Sequence, residues 1–355
     1  MIDMRLKRLM EGVRDEGLDA YIVYGSANIY YLTHSTGGGI LLIAEGESTL
    51  YTPKLNYPMA REQVDVCEVE PYKGERELME LLLKGLRGAV EIGYNTLPLS
   101  TYQRLRESLK GAELREASEL LWRMRRVKDG GELRLMRRAG ELADIGMEAA
   151  REALRPGVRE HEVAAEIAHS MMREGAEGLA FQPIVASGPR SAYPHGGVSD
   201  RRIGSGELIV VDIGAIYREY RSDITRTFIV GDAPERMREI YSVVLEAHLR
   251  AMEALRPGVE ARRVDGVARE IISSAGYGGY FIHSLGHGVG LEVHEPPRLS
   301  EDSEDILEAG NVVTDEPGIY IPGYGGVRIE DTVHITDSGV ERLTRFEKEL
   351  DAITL

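Results

Sequence analysis

The chain has 355 residues, 43% of them hydrophobic, enough for two cores, and it carries a formal net charge of −16. A chain this acidic argues against nucleic-acid binding, which needs a basic face to neutralise phosphates, and anionic membrane surfaces are disfavoured for the same reason. The single cysteine, Cys67, excludes an internal disulfide and a thiolate metal cage, and it fits a reducing compartment.

At the N-terminus, MIDMRLKRLMEGVRDEG has the spacing of an amphipathic helix and lacks the apolar core of a signal peptide. No stretch approaches the ~18 uninterrupted apolar residues of a membrane span, so a cytoplasmic protein is expected. Residues 1–122 then alternate strand-like and helix-like pieces. Leu18 to Tyr24 reads as a strand, and Ile40–Ile43 and Ser48–Thr52 flank the turn AEGE as a hairpin. Glu75–Leu86 and Ser100–Leu109 read as helices with a short strand, Gly88–Ile92, between them. This is an α/β domain without evident chemistry; the glycines Gly37 to Gly39 follow no phosphate-binding pattern and read as a loop. The charged stretch Arg123 to Gly131 breaks the hydrophobic pattern and is the expected linker, and a long helix from Glu132 to Leu154 opens a second domain, residues 132–355.

An internal repeat organises that second domain. EALRPGV occurs at Glu152–Val158 and again at Glu253–Val259, and at the same offset Val163 matches Val264, Met171 matches Ile272 and Gly175 matches Gly276. Each copy is a helix ending at Arg-Pro-Gly, then a second helix ending at glycine. Strand-rich stretches follow each pair: Phe181–Ser187 and Glu207–Val230, then Phe281–Val293 and Val312–Ile335. Two similar halves around a pseudo-twofold axis are expected, an α+β architecture.

Within the first half, VVDIGAIYREYRSDITRT reads as a hairpin of two buried strands. With its turn between Tyr217 and Arg218, Asp212 and Asp223 stand directly opposite, about 5 Å apart, and repel. Burying such a pair costs several kcal/mol unless a cation lies between them; the alternative is two exposed aspartates in another register. Further candidates follow. His287 stands between glycines in GHGVGLEVHE, where the backbone can turn tightly; the string lacks the spacing of a dinucleotide-binding loop. Glu316 precedes Pro317 and is biased to extended backbone, and Glu330 lies in the alternating strand GGVRIEDTVHI. Taken singly, each is an ordinary surface acid or structural histidine. Together, two Asp, two Glu and one His form an oxygen-rich set suited to Mn, Co, Zn or Fe(II). Five protein ligands exceed what one catalytic ion needs, whereas two ions about 3.5–4 Å apart, bridged by carboxylates and hydroxide, match the count.

The strings DIGAIYREYRSDITRT, HSLGHGVGLEVHEPPRLS, TDEPGIYIPG and GGVRIEDT closely resemble, in order and spacing, the Xaa-Pro peptidase branch of the creatinase/aminopeptidase ("pita-bread") metallopeptidases. The resemblance spans residues 130–345 and is weaker before that, mainly through NIYYLT. It implies a pita-bread catalytic domain after a smaller creatinase-like domain, two divalent metal ions per subunit and a homodimer. It assigns Asp212, Asp223, His287, Glu316 and Glu330 as metal ligands, with Asp223 and Glu330 bridging. His195 and His294 become substrate-facing histidines, Phe181 and Val293 the proline pocket, and Arg298 the partner of a dipeptide carboxylate. Thr225 and Arg328 would orient the ligands. His195 as a loop cap and Arg298 as a surface arginine remain the alternatives.

The implied reaction is hydrolysis of the Xaa-Pro bond in dipeptides, the prolidase reaction, by a metal-bridged hydroxide attacking the scissile carbonyl. Glu316 would accept a proton and return it to the leaving nitrogen, while His195 and His294 stabilise charge. Asp315 departs from the apolar residue common beside Glu316, and strand alternation turns it away from the metals. An Xaa-Pro aminopeptidase acting on longer peptides is the alternative within the class. A non-catalytic binding protein on the same fold is the alternative outside it, opposed by the complete ligand set.

Overall fold

Leu6, Leu9 and Val13 fall on one face of the opening helix, Ile2–Asp15, and all three are buried, the single stripe an amphipathic helix presents to a core. The computed structural model describes residues 2–232 and 234–355, and the chain divides into two units, Met1–Arg125 and Arg126–Leu355.

In the first unit six strands form one mixed sheet. Ala20–Tyr24 runs antiparallel to Ile40–Ala44 and parallel to Glu91–Tyr94. The expected hairpin pairs Ala44 with Glu47 and turns at Glu45 and Gly46, both at positive φ (53° and 80°), the conformation that matches strand twist. Ile22, Leu42 and Ile92 pack with Leu82 and Leu105 of the helices Glu75–Gly85 and Leu99–Ser108. The strand expected at Gly88–Ile92 lies later, at Glu91–Tyr94. There Asp19 Oδ2 accepts from the N–H groups of Val90 and Glu91 (2.8 and 2.9 Å) and sets where the strand begins.

The stretch expected as a linker is not a free one. Arg123 to Arg125 close the helix Glu119–Arg125 of the first unit. Lys128 is buried in the second, its Nζ 2.8 Å from Glu295 Oε1. Asp129 caps the helix Gly130–Ala153: its side chain accepts from the N–H groups of Gly131 and Glu132, while Glu132 Oε2 accepts from the Asp129 N–H. The charges that suggest solvated chain serve capping and ion pairing.

The repeat folds as two matching helix pairs, Gly130–Ala153 with Glu160–Arg173 and Glu235–Ala254 with Ala261–Ser274. Val163 and Val264, and Met171 and Ile272, are buried at equivalent positions. Gly157 and Gly258 follow the first helix of each pair at positive φ (89° and 82°). Each donates its N–H at 2.8 Å to an incoming segment, to the carbonyls of Ile203 and Leu307 respectively. Against the first pair lies a three-stranded antiparallel sheet of Ile184–Ser187, Glu207–Ile213 and Ile224–Val230. The second half carries a five-stranded sheet in the order Glu295–Leu299, Gly286–Gly288, Val312–Asp315, Asp331–Thr336, Gly339–Arg342. Of the expected strand region Phe281–Val293 only Gly286–Gly288 is strand. The backbone before it is held by side chains instead, with the Leu285 N–H donating to Asp265 Oδ1.

The hairpin register corrects the sequence expectation. Asp212 stands opposite Thr225, not Asp223, and Tyr217 stands opposite Tyr220. The turn is therefore Arg218–Glu219, one residue later than expected, with both residues at positive φ (47° and 66°). Asp223 becomes the diagonal neighbour of Asp212 rather than its direct partner, a wider spacing across which an ion can be shared.

Candidate metal centre

Asp212 is the penultimate residue of the strand Glu207–Ile213, after the buried run Leu208 to Val211, and Asp223 lies just before Ile224–Val230. His287 is the middle residue of Gly286–Gly288, and Glu316 follows Val312–Asp315. Glu330 sits in the break between Gly325–Arg328 and Asp331–Thr336, not within one continuous strand as expected. The two halves meet at this break, where the Glu330 N–H donates to the Thr225 carbonyl (3.0 Å). Candidate ligand atoms of Asp223, His287 and Glu330 all lie within 4.8 Å of one another, and Glu316 Oε1 is 3.4 Å from His287 Nε2.

The glycines beside His287 have a different role from the tight turn expected. A Cβ on Gly286 would lie 2.1 Å from the Thr314 carbonyl oxygen, and one on Gly288 would lie 2.4 Å from that of Glu295. They let neighbouring backbone close on the strand and bring His287 alongside Glu316.

Four carboxylates face one guanidinium here, and their protonation reflects it. Burial pushes Asp223 well above the usual carboxylate range, and the charges of Glu330, Asp212 and Glu316 add to the effect. Glu330 is raised in the same way, by burial first and then by Glu316 and Asp212. Glu316 is pushed up to about 8, chiefly by burial, with Arg328 opposing and Asp212 reinforcing the shift. Burial, aided by His294, lowers His287 to about 4, so its ring is neutral. His287 Nδ1 donates to the Gly288 carbonyl (3.0 Å), which leaves the Nε2 lone pair directed at Asp223 Oδ2 (3.9 Å) and Glu316 Oε1 (3.4 Å). Asp212 Oδ1 is buried and accepts no hydrogen bond. A lone pair facing carboxylates, an orphaned oxygen and an excess of negative charge are mutually repulsive arrangements that a divalent cation resolves; the residues fit a metal.

The remaining residues singled out in the sequence gather here. Phe181, His195, Val293, His294, Arg298 and Arg328 line the same cavity of about 840 Å³ as the five candidate ligands. The His294 and His287 rings have centroids 4.2 Å apart. Arg328 joins the two halves: Nη2 donates to Asp212 Oδ2 (2.6 Å), Nε to Thr225 Oγ1 (3.0 Å), and Nη1 to the Tyr320 hydroxyl (2.9 Å) and the Pro194 carbonyl (3.3 Å). Thr225 lies behind the lining and donates in turn to Glu330 Oε2 (2.7 Å).

Sequence reasoning missed His283 and Tyr320. His283 lines the cavity, its Nε2 is 2.9 Å from the Tyr320 hydroxyl, and burial lowers it to about 4. The available signal was its place in HSLGH, four residues before His287. Asp315 is turned away from the cavity as alternation requires, but it is fully buried opposite Asp331, with His248 Nδ1 3.3 Å from its Oδ2. Neither of its carboxylate oxygens accepts a well-directed hydrogen bond, and burial raises its pKa well above the usual range.

Repulsive carboxylates that need a divalent cation, held where two pseudo-symmetric halves meet, make the protein a metal-dependent hydrolase of the pita-bread class. Residues 134–337 match the model of metallopeptidase family M24, and residues 5–127 match that of the creatinase/prolidase N-terminal domain. The chain belongs to metallopeptidase family M24. It is 45% identical to the Xaa-Pro dipeptidase of Pyrococcus furiosus over 98% of this chain and 99% of that protein. The crystal structure of the prolidase from Pyrococcus horikoshii OT3 superposes with a TM-score of 0.94 at 44% identity, covering 98% of this chain and 99% of that one. The X-Pro aminopeptidase from Thermotoga maritima superposes at 0.91 with 35% identity, covering 99% of both chains. Among the described residues no helix is long and apolar enough to cross a membrane.

Proposed function

We propose that the protein is an Xaa-Pro dipeptidase whose centre is Asp212, Asp223, His287, Glu316 and Glu330 with two divalent ions of the Mn, Co, Zn or Fe(II) group. The observation that carries this reading is the joining of that carboxylate set to a cavity also lined by Phe181, Val293 and Arg298. When bound, the ions supply a water acidified enough to act as nucleophile near neutral pH. The protein's own residues do the rest. Arg298 pairs with the terminal carboxylate of a dipeptide and fixes its register. Phe181 and Val293 enclose the proline ring, which brings no N–H to the pocket. His195 and His294 donate to the oxygen that gains charge at the scissile carbonyl. Glu316 takes up a proton on its carboxylate and delivers it to the leaving proline nitrogen. Arg328 and Thr225 hold Asp212 and Glu330 in place through the contacts described above.

A second reading, an Xaa-Pro aminopeptidase acting on longer peptides, is supported by the likeness to the Thermotoga maritima enzyme. Hydrolysis of Leu-Pro against Arg-Pro-Pro by metal-stripped, Mn-reloaded protein separates the two. Cleavage of the dipeptide alone supports the dipeptidase and the role of Arg298, and release of Arg from the tripeptide supports the aminopeptidase. Cleavage of neither sinks both readings. A homodimer in the cytoplasm completes the proposal by family resemblance, and light scattering of the purified protein reads the first part.

A further inference from the structure

We propose that two carboxylate–guanidinium staples built on buried acids, Glu160–Arg190 in the first half and Asp265–Arg269 in the second, are positioning residues for the cavity histidines His195 and His283. The inference rests on the functional reading above for the importance of these histidines, but its geometry stands alone. Glu160 has no exposed surface. Its Oε1 accepts from the Ser187 N–H (2.9 Å) and hydroxyl (2.8 Å), and its Oε2 accepts from the Ser199 hydroxyl (2.6 Å) and from Arg190 Nη1. Arg190 Nη2 donates onward to the Gly196 carbonyl. Ser199 and Gly196 belong to the turn that carries His195, a segment with no regular secondary structure of its own. Gly196 is closely packed as well, since a Cβ there would lie 3.1 Å from that of Ala186.

The second half has the same device built from different positions. Asp265 is fully buried, and its two oxygens accept from Arg269 Nε (2.8 Å) and Nη2 (3.0 Å), a bidentate pair. Arg269 Nη1 donates to the Phe281 carbonyl (3.1 Å) and Nη2 to the His283 carbonyl (3.0 Å), while Asp265 Oδ1 also accepts from the Leu285 N–H (2.9 Å). The guanidinium lies over the Phe281 ring, 4.3 Å from its centroid.

These staples are not a relic of the duplication. At the repeat offset Glu160 corresponds to Ala261 and Asp265 to Ala164, so each half has an alanine where the other has its buried acid. In both halves an acid on the second helix and an arginine reach the same kind of target: the backbone of an irregular segment bearing a cavity histidine. Each acid is fully buried while its arginine stays partly exposed, and withdrawing a carboxylate from water has little to offer stability by itself, which points to the segments the pair holds.

Arg190→Lys and Arg269→Lys keep the charge but replace a two-pronged donor with one nitrogen. In the full-length protein, hydrogen exchange read by mass spectrometry should quicken about tenfold or more over residues 193–199 in Arg190→Lys and over 281–286 in Arg269→Lys, each leaving the other segment unchanged. In metal-loaded Leu-Pro hydrolysis each variant should lose about 10–100-fold in kcat with a smaller change in KM. On a His195→Ala background the loss from Arg190→Lys should shrink to within about twofold, while on His283→Ala it persists. An undiminished loss on His195→Ala, or exchange that quickens evenly across the second unit, overturns the proposal. If Arg190→Lys does not fold, Ser199→Ala removes one bond to Glu160, leaves the ion pair, and goes through the same cycle. The exchange experiment needs no substrate, so failure to cleave Leu-Pro refutes the dipeptidase reading and leaves the staples open to refutation on their own.

Discussion

Metal binding should be accompanied by proton release, in an amount that follows from the carboxylate cluster. Metal ligands must be ionised, and burial has raised three of the candidate ligands, Asp223, Glu316 and Glu330, above their ordinary values. With Glu316 at about 8, it is almost fully protonated at pH 6.5 and about a quarter protonated at pH 8.5. Its share of the released protons therefore falls from about one to about a quarter between those conditions. Asp223 and Glu330 are shifted in the same direction, so any proton they hold in the metal-free protein adds to that release rather than offsetting it. His287, held to about 4, is already neutral and contributes none. Isothermal titration of Mn into metal-free protein, in buffers of different ionisation enthalpy, measures the number directly. A raised folded-state value also means that the metal-free protein loses stability as pH climbs from the ordinary glutamate range towards 8, and bound metal should reverse that trend. Identical binding enthalpies in all buffers would refute the reasoning. Such a result would mean that the carboxylates are ionised without metal, and that Arg328 and the surrounding dipoles compensate for their charge.

Arg328→Lys keeps the charge but cannot span Asp212, Thr225 and Tyr320 together, so Mn affinity or activity should fall about 10–100-fold in a metal titration. A loss under about twofold would show that these contacts do not orient the ligands. Burial lowers His248 from 6.5 to about 4, so the folded chain resists a proton that the unfolded chain accepts. Stability on this account is complete above pH 6.5, drops by about 2 kcal/mol between pH 7 and pH 5, and levels off below about 4; urea titrations of His248→Gln should show a correspondingly shallower slope. Gly286→Ala would put a Cβ 2.1 Å from the Thr314 oxygen, and urea titration should read a loss of about 1–3 kcal/mol with weakened Mn binding. Unchanged Mn affinity in that variant would mean that His287 tolerates the displaced strand.

The duplication was legible because EALRPGV repeats intact, and the matched helix ends and buried positions follow from it. The ligand candidates were legible because each acid interrupts apolar or glycine-rich sequence. The hairpin register was not, since its turn uses Arg218 and Glu219 at positive φ, where glycine or asparagine would have signalled the place. Glu160 and Asp265 look like the solvated acids of amphipathic helices, and only the return of distant loops onto them reveals buried anchors. Lys128 reads as linker charge for the same reason: Glu295, its partner, is far along the chain. His283 offers only its place in HSLGH, four residues before His287, and its contact with Tyr320 depends on how the second half folds.

The most direct test of metal-dependent Xaa-Pro hydrolysis is Leu-Pro cleavage by chelator-stripped protein as Mn is returned in counted equivalents. The account predicts no turnover without metal and activity that rises to a plateau at two ions per chain. Turnover that persists in the stripped protein, or none at any loading, would contradict it.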